Sequence, residues 1–273
     1  MKLAAYAHHL KEFYSQPRIA FVSLQKNSVV KDMFDAVDEI ITISEEEREI
    51  LELTSQQHVC MYGENWIVGS SKNMLLSHFP GPEGVYGTDV SKVFPNACEA
   101  YKSMILQIPY FYDAADVSSD FVDAYDEILA ERYKNSILLA PFAYSIPSPE
   151  PYFWEDLARW LKEEGYDVYT NVSQSEQEID GTMRLCEDLR TTFNLCRYFS
   201  AIISTRSGFS DFMAFQPEVL HIVFSPEENM MRFHDIAAYG RSEKIYNINW
   251  NMRDPMPEQE MLERVEDILE EYA

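Results

Sequence analysis

The sequence predicts an α/β protein built from parallel sheets and crossover helices. Short apolar runs of strand length alternate with longer segments of helical periodicity, which is the order that crossover connections require. The length of 273 residues, with 46% apolar side chains, is enough for two modest domains that each bury a core. We therefore expect an N-terminal α/β domain over residues 1–133 and a C-terminal one over 134–273, with the last helix able to pack back on the first domain.

The first half begins with a helical segment followed by a strand, a helix and a second strand. The predicted elements, in order, are helix 3–15, strand 18–24, helix 28–34 and strand 38–43. Ser44 and Glu47 have the spacing of a capping box, in which each side chain accepts a hydrogen bond from the backbone of the other. The next helix should therefore open at this point and extend to Leu53.

The middle of the chain, residues 58–117, has a less regular pattern. Prolines and glycines interrupt residues 78–87, and long loops of this kind often have a function. Glu64 and His78 are the candidates here for a catalytic base, because activating a hydroxyl needs a carboxylate or an imidazole within hydrogen-bond reach. The alternative interpretation is a solvated Glu64 and a partly buried His78. An acidic helix is expected over 118–133.

The second half alternates more clearly between strands and helices. An apolar strand at 136–141 ends in a turn rich in proline and serine, and a helix follows that ends at Gly165. Phe153 and Trp154 recur with other apolar residues at helical spacing, so we expect both in the core. The later elements, in order, are strand 166–170, helices 183–189 and 192–199, a strand ending at Ser204, helix 211–215, strand 219–224 and helix 257–272.

The turn after the strand that ends at Ser204 is the strongest candidate for a ligand site. Backbone N–H groups at the start of a helix attract anions, and Gly208 would let a phosphate approach the main chain closely. Arg206 would add a forked donor that matches phosphate oxygens. We therefore predict a diphosphate site here; the alternative is a tight turn with a surface arginine. Asp211 is interpreted as a helix N-terminal residue, because a carboxylate would repel a diphosphate.

Composition excludes several classes of function. The net charge of −24 lacks the basic surface that general nucleic-acid binding requires, so no nucleic-acid partner is expected. Four scattered cysteines form neither a zinc motif nor a disulfide framework, and no metal or cofactor is predicted. No apolar run reaches the length of a membrane span, and the first residues do not read as a signal peptide. We expect a cytoplasmic protein, free or peripheral at the inner membrane face.

Residues 136–226 resemble the C-terminal, donor-binding domain of GT-B glycosyltransferases, and are most similar to the bacterial heptosyltransferase-like group. The resemblance depends on the order of elements and on four segments. These are the strand and turn 137–141, the helix and strand entry 153–166, the helix and strand 193–204, and the loop 206–211. Where heptosyltransferases usually have an Asp-Thr-Gly sequence, this chain has Arg206, Ser207 and Gly208, so the donor sugar stays open.

The resemblance implies two Rossmann-like domains of GT-B type. The family's first domain opens with a strand and a glycine-rich turn, often with the acceptor-activating base, whereas this chain begins in a helix; its first domain is expected to be shortened at that strand. The implied donor-binding residues are Pro141, Phe142, Ala143, Tyr144, Ser145, Asn171, Gly181, Thr182, Met183, Arg206, Ser207, Gly208 and Phe209. Arg206 would also stabilise the leaving diphosphate.

The implied activity is metal-independent transfer of a hexosyl or heptosyl group. The donor would be a nucleotide-sugar, bound as a substrate, and the acceptor a bacterial surface glycan or glycoconjugate. The alternative is a non-catalytic nucleotide- or glycan-binding partner of an active transferase, and a plain α/β interaction protein is a third hypothesis. A missing first strand would leave a sheet edge exposed, which favours a homodimer.

Overall fold

The structure, a computed structural model, describes most of the chain. The described residues are 2–13, 18–24, 29–47, 61–62, 65–69, 74–76, 114–143, 147–226, 235–238, 240, 242–250 and 256–272. The chain forms two compact units, Met1–Phe121 and Val122–Ala273. The functional domains predicted at 1–133 and 134–273 stay a prediction.

The first unit contains a short β-α-β segment close to the predicted one. Its described helices are α1 (Lys2–Ala5), α2 (Ala7–Phe13) and α3 (Val29–Met33), and its strands β1 (Ala20–Leu24) and β2 (Glu39–Ile43) pair in parallel. The capping box is confirmed, because the Ser44 N–H donates to the Glu47 carboxylate at 2.8 Å and the Glu47 N–H donates to Ser44 Oγ at 3.1 Å. The irregular middle contains an antiparallel sheet that the sequence did not predict, of strands β3 (Met61–Tyr62), β4 (Asn65–Gly69) and β5 (Met74–Leu76).

The second unit is a parallel six-stranded sheet with helices, as the sequence predicts for an α/β protein. Its helices are α4 (Glu127–Tyr133), α5 (Pro151–Glu163), α6 (Leu189–Cys196), α7 (Gly208–Met213) and α8 (Glu258–Tyr272). Its strands are β6 (Ser136–Ala140), β7 (Asp167–Asn171), β8 (Met183–Leu185), β9 (Ala201–Thr205), β10 (Leu220–Ser225) and β11 (Ile245–Asn249), in the order β11-β10-β9-β6-β7-β8. Every residue of β6, β9 and β10 is buried, because these strands lie inside the sheet.

Alternate residues of the central strands, on one face of the sheet, pack into a buried cluster with α5 and α8. Ile203 and Phe224 share a buried cluster with Trp154 of α5 and Val265 of α8. Trp154 and Phe224 meet edge to face with ring centroids 5.7 Å apart, a favoured aromatic geometry. The prediction that Phe153 and Trp154 are core residues is confirmed. Gly165 ends the α5 turn at φ 93°, a conformation that glycine adopts without strain.

The predicted helices 118–133 and 183–189 are wrong in part, and strands β8 and β11, like β3–β5, were not predicted. Residues 183–185 form strand β8, parallel to β7, instead of starting a helix; the positive φ of 76° at Gly181 turns the chain into that strand. Helix α4 begins only at Glu127, because the Asp126 side chain caps it by accepting from the N–H groups of Ile128 and Leu129. Strand β11 was not predicted, because its two asparagines interrupt the apolar pattern.

Candidate functional site

The candidate site lies where the central strands of the parallel sheet end. β6 ends at Ala140 and β9 ends at Thr205, and the two strands pair in register with Ala140 opposite Ser204. Ligands bind at this carboxyl edge in open α/β sheets, because the loops that follow the strands meet there. The register therefore brings together Pro141, which follows β6, and Arg206, which follows β9.

The loop after β9 is held tightly by its own backbone and serines. The Arg206 N–H donates to the Phe224 carbonyl at 2.9 Å, which fixes the loop to β10. Ser207 is the N-cap of α7: the Ser210 N–H donates to Ser207 Oγ at 3.4 Å, and the Ser207 N–H donates to Ser210 Oγ at 2.8 Å. A Cβ added at Gly208 would meet no atom within 4 Å, so the chain borders open space there. Such space is what a ligand at Gly208 needs.

Arg206 is a buried, paired cation. Its Nη2 lies 2.7 Å from the Asp211 carboxylate, and its side chain is 8% exposed against 24% for Asp211. Its Nη1 donates to the Ser207 carbonyl at 3.1 Å and to Ser210 Oγ at 3.2 Å. The surface arginine of the alternative interpretation is therefore excluded. Asp211 does lie in the first turn of α7, as predicted, and the ion pair is a further role that the sequence did not reveal.

A buried, neutral histidine lies next to the end of β9, just before the loop. His221 on β10 is 1% exposed, and its Nε2 lies 2.8 Å from Ser204 Oγ on β9. Burial, and secondly the positive charge of Arg206, lower the His221 pKa from 6.5 to about 3. A second cation next to Arg206 is thereby avoided at neutral pH. Sequence reasoning missed His221, although a histidine inside an apolar strand is a visible signal.

A group of hydroxyls joins the ends of β6 and β9 on the other face of the sheet. The Pro141 carbonyl oxygen lies within hydrogen-bond distance of two hydroxyls, 3.0 Å from Thr205 Oγ1 and 2.9 Å from Ser148 Oγ. The two hydroxyl oxygens lie 2.7 Å apart, and the Trp154 Nε1–H donates to Ser148 Oγ at 3.1 Å. Sequence reasoning named neither Ser148 nor Thr205 as a site residue, because only the pairing of β6 with β9 brings them together.

Of the other predicted site residues, three lie at or just after the strand ends and four lie outside the described residues. Phe142, one residue past Pro141, is 39% exposed, and Ala143 is half-buried. Asn171 is the last residue of β7 and half-buried, so it too is at the carboxyl edge. Tyr144, Ser145, Glu64 and His78 lie outside the described residues.

The segment that contains Gly181, Thr182 and Met183 is not brought to this edge. Met183 begins β8 opposite Tyr169 in the middle of β7, and Thr182 Oγ1 lies 2.6 Å from Thr170 Oγ1, so both residues lie level with β7 rather than beyond its last residue. The Gly181 carbonyl accepts from Lys162 Nζ at 2.9 Å, near the C-terminal end of α5. Since α5 follows β6 and runs back along the sheet, that end is remote from the strand ends.

The described residues contain neither a metal-binding cluster nor a membrane-spanning helix. Within the described ranges, no three or more His, Cys, Asp or Glu side chains are grouped so that they could hold a metal ion. None of the described helices combines the length and the apolar character needed to cross a membrane.

Comparison with known proteins gives matches in structure alone. No family model and no curated protein matches the sequence. The solved structure of Escherichia coli ADP-heptose lps heptosyltransferase II matches with a TM-score of 0.62 and 14% identity, over 99% of this chain and 95% of that one. A glycosyl transferase of family 9 from Veillonella parvula matches with a TM-score of 0.60 and 11% identity, over 99% and 93%. Escherichia coli heptosyltransferase WaaC, solved with ADP-2-deoxy-2-fluoro heptose, matches with a TM-score of 0.58 and 9% identity, over 100% and 96%. The resemblance inferred from the sequence is thus confirmed for the fold: this chain has the fold of the heptosyltransferases.

Proposed function

We propose that the protein is a glycosyltransferase of GT-B architecture, with a Rossmann-like domain in each half. It transfers a sugar from a nucleotide-sugar to a bacterial surface glycan or glycoconjugate. The observation that carries the proposal is the loop of Arg206, Ser207 and Gly208 at the carboxyl edge of a parallel sheet, in a chain that shares the heptosyltransferase fold along its length. Open α/β sheets bind their ligands at this edge.

The proposed reaction is displacement at C1 of the donor sugar. An acceptor hydroxyl forms the new bond to C1, the bond from C1 to the diphosphate oxygen breaks, and the nucleoside diphosphate leaves with the electron pair. Negative charge grows on the leaving diphosphate, so fixed donors directed at that position lower the barrier. The Ser210 N–H is taken by the Ser207 cap and the Asp211 N–H donates to the Ser207 carbonyl, so the N–H groups of Gly208 and Phe209, which precede them in α7, are the donors assigned to the diphosphate.

Arg206 is proposed to stabilise the same charge. Asp211 competes with the diphosphate for the guanidinium of Arg206, and it also holds that guanidinium in place. The ion pair with Asp211 holds the guanidinium in one orientation, and Nη1 donates to the Ser207 carbonyl and to Ser210 Oγ, so a phosphate oxygen would exchange with one of these acceptors. The pairing also reduces the net positive charge offered to the ligand. Most of the gain must therefore come from directed hydrogen bonds.

The nucleoside is proposed to lie beside Pro141, Phe142, Ala143 and Asn171. Phe142 offers an exposed ring next to the strand ends, and aromatic rings stack on bases and sugars. The acceptor proton is assigned to Glu64 or His78, as in the sequence analysis. ADP-heptose is the first donor to test, because one of the similar structures is of an ADP-heptose lps heptosyltransferase and another was solved with ADP-2-deoxy-2-fluoro heptose.

Binding and turnover of nucleotides test the proposal. Calorimetric titration with ADP, UDP, GDP and CMP should give one preferred nucleotide, and ADP-heptose should be consumed with release of nucleoside diphosphate when acceptor glycan is present. Arg206→Lys retains the charge without the fork and should weaken binding of that nucleotide. Arg159→Ala is the matched control, because Arg159 is an exposed arginine on α5 that pairs with Asp156. Absence of binding by all four nucleotides would overturn the proposal.

A further inference from the structure

We propose that Ser148 and Thr205 are positioning residues that hold the two sides of the donor site in one fixed relation. One side follows β6 and begins at Pro141; the other follows β9 and begins at Arg206. The identity of the ligand in this inference rests on the proposed function. The link between the two sides is observed independently of any ligand, in the contacts among Pro141, Ser148 and Thr205.

The proton count shows why both hydroxyls are needed. Each hydroxyl has one proton, and the Trp154 Nε1–H already donates to Ser148 Oγ. The Pro141 carbonyl is within bonding distance of both oxygens, and the oxygens are 2.7 Å from each other. In either arrangement one hydroxyl donates to Pro141 and the other donates to the first hydroxyl. Removal of the Thr205 hydroxyl leaves Ser148 bonded to Pro141 and Trp154 but takes away the hydrogen bonds that join this group to β9, whereas removal of the Ser148 hydroxyl leaves the Trp154 Nε1–H without its acceptor.

The group is anchored to buried residues of the second unit. Thr205 is fully buried at the end of the central strand β9. Trp154 is 2% exposed in the core of α5, where its ring contacts Phe224 edge to face. Ser148 Oγ thus lies between the buried indole of Trp154 and the buried end of β9, and it bonds to the carbonyl of Pro141 from that position.

The group lies one residue from candidate ligand contacts on both sides. Thr205 precedes Arg206 in the chain, and Pro141 precedes the exposed Phe142. A nucleotide-sugar that contacts both sides needs them at one spacing. If the two sides are already ordered before binding, the free-energy cost of ordering them does not weaken the affinity. Neither hydroxyl is proposed to touch the substrate, since Thr205 is fully buried and both hydroxyls are bonded within the group that they form with Pro141.

Two substitutions at Thr205 separate a hydroxyl function from packing. Thr205→Val keeps the shape and removes the hydroxyl, whereas Thr205→Ser keeps the hydroxyl and removes a methyl group. We expect Thr205→Val to weaken the Kd of the nucleotide that the wild type prefers among ADP, UDP and GDP by about 5- to 10-fold, the worth of a hydrogen bond. Thr205→Ser should stay within about twofold, although its Tm falls because of the small cavity.

Ser148→Ala should weaken binding to a similar degree as Thr205→Val. The two hydroxyls act on one carbonyl, so the double variant should lose less than the product of the two single losses. Hydrogen exchange of the ligand-free protein gives a second readout: the amide of Phe142 should exchange faster in Thr205→Val than in Thr205→Ser.

The outcomes are distinguishable. If the wild type binds a nucleotide, and Thr205→Val binds it equally well while Thr205→Ser does not, Thr205 acts by packing and the positioning role is wrong. Equal binding by all the variants overturns the role as well. If the wild type binds none of the nucleotides, the proposed function fails, and with it the donor-positioning role. An unchanged exchange rate of the Phe142 amide in Thr205→Val would show that the Thr205 hydroxyl does not hold the segment after β6 in place.

Discussion

The free energy of unfolding should depend on pH through His221, because the folded protein holds this side chain in its uncharged form. Its pKa is lowered to about 3 in the folded protein, by burial first and by the charge of Arg206 second, from an ordinary value of 6.5. A histidine with a lowered folded pKa contributes its full stability above the unfolded pKa, and the contribution is lost as the pH falls towards the folded pKa. Acid should therefore destabilise the second unit, because His221 binds a proton in the unfolded chain but stays neutral in the native state.

The magnitude follows from the two pKa values. Between about pH 7 and about pH 5 the unfolded imidazole becomes almost fully protonated while the native one stays neutral, and the free energy of unfolding falls by about 2 kcal/mol from this residue alone. Other groups also titrate in this range, so the quantity to measure is a difference between wild type and His221→Gln. The glutamine cannot take up a proton, and its amide reaches towards Ser204 as Nε2 does.

Urea unfolding followed by tryptophan fluorescence is the assay. Three of the four tryptophans, Trp154, Trp160 and Trp250, lie in the second unit with His221, so its transition dominates the signal. The wild type should be the more stable protein at about pH 7, and its advantage over His221→Gln should shrink by about 2 kcal/mol at about pH 5. An advantage that is the same at both pH values would refute the buried, neutral histidine.

Three further predictions concern the ion pair, a turn and the thiols. Asp211→Asn should cost roughly 3 kcal/mol of unfolding free energy and more than Arg206→Met, because Arg206 is the more buried partner; equal costs in urea unfolding would contradict this. Gly165→Ala should cost about 1 kcal/mol in the same assay, because φ is 93° there; an unchanged midpoint would argue against that turn. Burial raises the pKa of the Cys196 thiol, so it should resist alkylation in the folded protein while exposed Cys186 reacts, as read by peptide mass spectrometry; equal labelling would show that Cys196 is accessible.

The parts of the fold that were predictable are those whose local pattern has one interpretation. Strand β6 is a run of five buried residues, and α5 has its apolar side chains at helical spacing, so both were predicted nearly to the residue. Strand β8 has only three residues at a sheet edge, and its sequence suits a helix as well. Tertiary pairing with β7 decided between the two, and no local pattern contains that information.

The candidate site divides in the same way. The loop after β9 was predictable, because a strand end, small residues and a helix start follow each other directly in the sequence. Contacts between segments were not: Ser148 and Thr205 are 57 positions apart, and His221 and Ser204 are 17 apart. Even Arg206 and Asp211, five residues from each other, were assigned separate roles, because the rule for helix N-termini accounts for Asp211 without a partner.

The central place of β6 in the sheet has a consequence for synthesis. β6 is the first strand of the second unit to leave the ribosome, and its two neighbours are β7 and β9. The β7 side can pair early, but the β9 side waits for on the order of 60 further residues, or about 3 to 12 s at ordinary rates of translation. An apolar strand with an open edge is a template for wrong pairing during that time. The time for which this edge of β6 is unpaired is set by the rate of translation, and the stability of the native sheet does not shorten it.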